Sequence, residues 1–126
     1  MPRPYDGGVA NLANVAELRA LVLKRCKGYC EKCGRALSND FALHHRKLRS
    51  AGGKDAVENF LALHHECHNL GTKSVHLNPK DSMEKGYIVS RYRDPQACPL
   101  MLPDGSSVIL TEEGTYLIVE EGKHGW

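Results

Sequence analysis

From residue 14 onward the apolar positions recur at helical spacing. Val15, Leu18, Leu21 and Val22, continued by Leu23 or Cys26, fall at the i, i+3, i+4, i+7 intervals of an amphipathic helix over Asn14–Arg25, with Asn11 or Asn14 placed to cap it. The pattern then breaks into short pieces. Cys30-Glu-Lys-Cys33-Gly34 reads as a tight turn, Phe41–His45 as a strand and the glycine-bearing Ser50–Asp55 as a loop. Val57, Phe60, Leu61 and Leu63 form a second short apolar element, and Leu61-Ala-Leu63 is its return strand. His64–Leu70 begins a turn leading toward a helix, which Gly71 interrupts. Past Pro79, Lys80–Lys85 reads as a helical turn and Tyr87–Tyr92 as a strand. Leu100–Leu102, Val108–Leu110 and Tyr116–Val119, separated by turns at Pro103-Asp104-Gly105 and Gly114, then alternate as a small β meander.

These elements predict an α+β fold. A chain of 126 residues suits one compact unit, divided into a core over residues 12–80 and a β-rich extension over 81–126 packed on or beside it. No apolar run approaches the roughly 18 residues that cross a bilayer, so no membrane partner is expected. The start, MPRPYDGG, has no apolar signal-peptide core, and the expected location is the cytoplasm. Only 6% of residues are aromatic, which points to a small aliphatic core.

The net charge of +2 hides a division. Between Arg19 and Ser50 nine basic side chains stand against Glu31 and Asp40, a local balance of +7, whereas Asp94–Trp126 has six acids against Lys123. A block of that density is either a solvated face or the footprint of a polyanion.

Seven His and five Cys residues stand out. Cys30-x2-Cys33 and His64-x2-Cys67 share one short spacing, and two such knuckles suit a single tetrahedral zinc of the closed, structural kind. A redox dithiol and a pair of buried thiols compete with that reading. Cys26 and Cys98 fall outside the pairing and are simplest as small buried hydrophobes; His65 and His124 are simplest as surface residues. A second group comprises His44-His45, Asn59 and His68. Neighbouring strand residues face opposite ways, so His44 and His45 should not share one metal. If one holds a divalent cation together with His68, the other remains an imidazole placed to act as general base for phosphodiester hydrolysis. The plainer alternatives are polar residues at a strand end or a second structural zinc.

Taken together, Cys30-x2-Cys33, Leu43-His44-His45-Arg46, Gly52-Gly53, Asn59, Leu63-His64-x2-Cys67-His68 and His76-Leu-Asn-Pro79 resemble the HNH endonucleases of the ββα-metal (His-Me finger) class. The resemblance covers about half the chain, and its tail is similar to small HNH proteins of actinobacterial phages. It implies a zinc-stapled ββα-metal nuclease core with an N-terminal helix and a C-terminal extension. His45 would activate water, Asn59 would fix the loop carrying that base, and His44, His68 and His76 would hold the catalytic ion (Mg, Mn, Ni or Zn). Cys30, Cys33, His64 and Cys67 would hold the structural zinc. Many family members place the third histidine where this chain has Thr72, so His76 requires that Asn69–Ser74 hold a short insertion. The implied activity is DNA cleavage to 5′-phosphate and 3′-hydroxyl ends, on double-stranded DNA, in the host cytoplasm if the chain is phage-encoded, and beside a terminase. Arg46, Lys47 and Arg49 are the expected phosphate contacts. The rival function is a zinc-stabilised nucleic-acid or protein-binding module without catalysis.

Overall fold

We describe the fold from a computed structural model that covers residues 7–119, with side chains from residue 15 onward; His124 lies outside the described residues. Helix α1 (Gly7–Cys26) starts earlier than its apolar stripe, so Asn11 and Asn14 lie inside it rather than capping it. Residues 7–13 contain no proline, and a helix propagates until something stops it. Val22 and Cys26 are buried against Phe41, Val57, Phe60 and Ala62, while Val15 is left at the surface.

Strand β1 (Ala42–His45) pairs antiparallel with β2 (Phe60–Leu63), setting Ala42 opposite Leu63 and His45 opposite Phe60. All four residues of β2 are buried because α1 packs on one of its faces and the C-terminal half of the chain on the other. A single wide helical turn, Glu66–Leu70, follows β2 and is closed by Gly71 N–H donating to the Glu66 carbonyl. This turn is the whole helical arm of the ββα unit. Helix α2 (Pro79–Lys85) ends at Gly86, whose φ of 85° and whose approach to the Pro99 carbonyl, 2.1 Å from where a Cβ would sit, admit only glycine.

Tyr87–Tyr92 is not the strand its residues suggest. Its first carbonyl and the one just before it are taken by side chains: His44 Nε2 meets the Tyr87 oxygen at 2.7 Å and Arg46 Nε donates to the Gly86 oxygen at 2.8 Å. One ladder-like bond remains, from Val89 N–H to the Arg46 carbonyl. The meander does form, as β3 (Leu100–Met101), β4 (Ser107–Leu110) and β5 (Tyr116–Ile118) in that spatial order, all antiparallel. Leu61, Leu63, Val75, Tyr87, Leu100, Val108 and Leu110 share one core with Cys30.

Two arginines of the basic block are interior. Arg25 forms a two-pronged pair with Glu31 (2.9 and 2.8 Å) and donates to the Val57 and Phe60 carbonyls, while Glu31 also accepts from Ala62 N–H and the Tyr116 hydroxyl. The knot joins α1, the first knuckle, β2 and β5. Arg46 has no exposed surface and donates to the carbonyls of Gly86, Glu58, Pro95 and Cys98. It cannot reach a phosphate, and this corrects its assignment as a DNA contact.

Candidate functional site

The first knuckle turns between α1 and β1 and the second follows β2, so strand pairing brings the two together. Ligand atoms of Cys30, Cys33, His64 and Cys67 all lie within 4.8 Å of one another. His64 Nε2 lies 2.8 Å from the Ala36 carbonyl, which leaves Nδ1 facing the sulfurs, 3.3 Å from Cys33 Sγ. Burial raises the Cys33 thiol, but hydrogen bonds from Arg35, Cys30 and Cys67 outweigh it and bring it down to about 6. Burial, then the negative charge of Cys30 and Cys33, push Cys67 up to about 12. Thiols this close cannot all ionise without a cation among them, and the donor set of three sulfurs and one imidazole is that of a structural zinc.

The second centre joins His44, His68 and His76, again with ligand atoms within 4.8 Å of one another. His44 is buried on the inner face of β1; its Nε2 is engaged by the Tyr87 carbonyl, which leaves Nδ1 for an ion. Burial pushes His44 down to about 3, with further lowering from His68 and His76, so the ring is neutral, as a ligand must be. Burial and His76 likewise lower His68. His68 Nε2 and His76 Nε2 are 3.0 Å apart, the separation of two adjacent ligands each about 2.1 Å from a shared ion.

How His76 arrives there is visible in the loop. Val75 N–H donates to the Cys67 carbonyl and His76 N–H to that of His68, while Asn78 Nδ2 clamps the Thr72 and Ser74 carbonyls. Residues 69–74 therefore bulge outward and return the chain to the residue where they left it.

His45 belongs to neither cluster. On the outer face of β1 it packs on Phe60, with ring centroids 4.6 Å apart, and its Nε2 lies 2.8 Å from Asp55 Oδ1. Arg49 Nη2 contacts both Asp55 oxygens, at 2.9 and 2.7 Å. Asp55 is the functional candidate that sequence reasoning missed: one acid in a loop read only by its glycines, made important by a strand pairing that curls the loop back onto His45. Asn59 is buried behind that loop. Its side chain accepts from Lys47 N–H and donates to the Lys47 and Lys54 carbonyls, and Gly53 fits because a Cβ there would stand 1.7 Å from the Lys47 oxygen. His65 pairs with Asp40 at the surface, and Cys26 and Cys98 are buried.

Residues 30–74 match the family model described as HNH endonuclease. Over that span the chain is similar to an HNH endonuclease domain. No curated protein and no solved structure matches the chain. The matched span contains the complete zinc quartet, His44, His45, Asn59 and His68, and stops just short of His76. The carbonyl that engages His44 and three of the four that hold Arg46 also lie beyond it, so the C-terminal segment completes the surroundings of the matched residues. No helix among the described residues is long and apolar enough to cross a membrane.

Proposed function

We propose that this protein is a metal-dependent DNA endonuclease that hydrolyses phosphodiesters to 5′-phosphate and 3′-hydroxyl ends. The observation that carries the reading is the division between two consecutive histidines. His44 joins an imidazole trio, whereas His45 stands outside it with one ring nitrogen engaged by Asp55.

His45 acts as the general base. With Nε2–H directed at Asp55, the lone pair lies on Nδ1, which takes the proton of the attacking water. Asp55 holds the ring and offsets the charge it gains, and Arg49 keeps the carboxylate in place while its largely exposed side chain can also meet a phosphate. Asn59 positions the loop that carries this pair. A divalent cation held by His44, His68 and His76 would stabilise negative charge on the transferring phosphoryl group and the departing 3′ oxygen. Cys30, Cys33, His64 and Cys67 hold the structural zinc, and residues 81–126 serve as the extension that completes a core otherwise too small. Lys47 and Arg49 remain the phosphate contacts. The resemblance to phage HNH proteins makes genome cutting or packaging beside a terminase the proposed setting.

Supercoiled plasmid incubated with zinc-loaded protein and Mg²⁺, Mn²⁺ or Ni²⁺ tests the reading. The expected products are nicked or linear molecules whose ends a ligase reseals directly. Plasmid that is bound yet stays intact with every metal would establish the binding-module alternative.

A further inference from the structure

Beside the loop that carries Asp55 lies a cleft of about 430 Å³, walled on one side by Lys47 and Lys54 and on the other by the turn Arg91-Tyr92-Arg93. The turn belongs to the C-terminal segment, outside the matched HNH span. Two acids also line the cleft, and both are engaged: Asp94 Oδ1 accepts from Gln96 N–H, and the buried Glu58 accepts from Gln96 Nε2. Arg91 and Arg93 are exposed and form no ion pair among the described residues. Tyr92 is 89% exposed, an aromatic ring held out in water between two guanidinium groups.

The turn is firmly mounted. Arg93 N–H donates to the Ser90 carbonyl, Lys47 Nζ donates to the Arg93 carbonyl at 3.0 Å, and the buried Arg46 holds the Pro95 and Cys98 carbonyls. Arg46, placed directly after His45, thus fastens the C-terminal segment to the end of the strand that carries the base. The same Asn59 side chain that lines the cleft bonds the carbonyl of Lys54, the residue before Asp55. Cleft and proposed base therefore share one rigid support.

We propose that Arg91-Tyr92-Arg93, with Lys47 and Lys54, is a second DNA-contact element. Its cations hold backbone phosphates flanking the cut, and Tyr92 packs against a sugar or base of the same strand. Four cations on the walls of a cleft too polar for an apolar ligand complement a phosphate backbone, and an exposed aromatic between arginines suits a base or sugar face. The inference rests on the DNA-endonuclease reading and adds to it a surface one wall of which, Arg91-Tyr92-Arg93, comes from outside the matched span.

The test is binding of a labelled DNA duplex by the full-length zinc-loaded protein, without added divalent cation, across a salt series. For Arg91→Ala/Arg93→Ala the slope of log K against log salt should flatten by about 2, with affinity down on the order of tenfold or more. Arg91→Lys/Arg93→Lys should retain the slope. Tyr92→Ala should weaken binding roughly fivefold or more at unchanged slope, because stacking releases no counterions. Lys24→Ala, an exposed charge on α1, is the control for net charge. If the wild type binds and cuts DNA while the arginine and tyrosine variants bind like Lys24→Ala, this inference falls and the nuclease reading stands. If the wild type neither binds nor cuts, both fall.

Discussion

His44 and His45 are consecutive and face apart, and the chemistry proposed here depends on that separation. Period-2 geometry turns one imidazole into the core beside His68 and His76 and the other toward Asp55. Replacing Asp55 by Asn should leave DNA affinity near wild type and lower the cleavage rate about tenfold or more, since the ring loses its orienting acceptor. Single-turnover rates measured beside equilibrium binding separate the two effects. Arg46 behaves differently from its charged neighbours. Its interior guanidinium is lowered to about 10 by burial yet stays protonated at neutral pH. Arg46→Leu should cost about 3 kcal/mol or more in stability, because several carbonyls lose a charged donor at once. Thermal unfolding reads that loss, whereas a residue that merely touched DNA would leave the melting temperature unchanged.

At the scale of elements, the loop between β1 and β2 is the delicate part. Gly53→Ala forces a Cβ into the Lys47 carbonyl, so the loop must shift and carry Asp55 with it. The expected outcome is a folded, zinc-bound protein with cleavage reduced tenfold or more, on the argument that misplacement by about 1 Å is costly to positioned catalysts. Local patterns made much of the fold legible. Helical spacing marks α1, short apolar runs mark β1, β2 and the meander, and paired x2 spacings mark the zinc ligands. What stayed hidden depends on contacts distant in sequence. Tyr87–Tyr92 has strand-like residues, but the Tyr87 carbonyl and that of Gly86 before it are met by the side chains of His44 on β1 and of Arg46 just after it. Asp55 carries no signal until the loop closes on His45, and Arg46 resembles a surface cation until the C-terminal segment covers it.

At the scale of the molecule, two centres and one ionic knot hold four segments of chain together. Removing the structural zinc should unfold the protein rather than merely slow it, since the ββ pair has little core of its own. Cys33→Ser is expected to lose about one equivalent of tightly held metal together with its folded circular dichroism. The Arg25–Glu31–Tyr116 knot ties β5 to the first knuckle, and burial with the nearby Glu31 raises the Tyr116 hydroxyl, which therefore stays protonated and donates. Tyr116→Phe should cost about 1–3 kcal/mol, as a hydrogen bond to a charged acceptor does, and calorimetric melting would record it.

The central claim, that His45 is the base of a metal-dependent nuclease, is tested most directly by comparing plasmid cleavage by the wild type and by a folded, zinc-loaded His45→Ala protein in Mn²⁺. We expect the variant to bind DNA as the wild type does and to cut at least about a hundredfold more slowly, the usual contribution of a general base. Cleavage by His45→Ala at the wild-type rate would contradict the account.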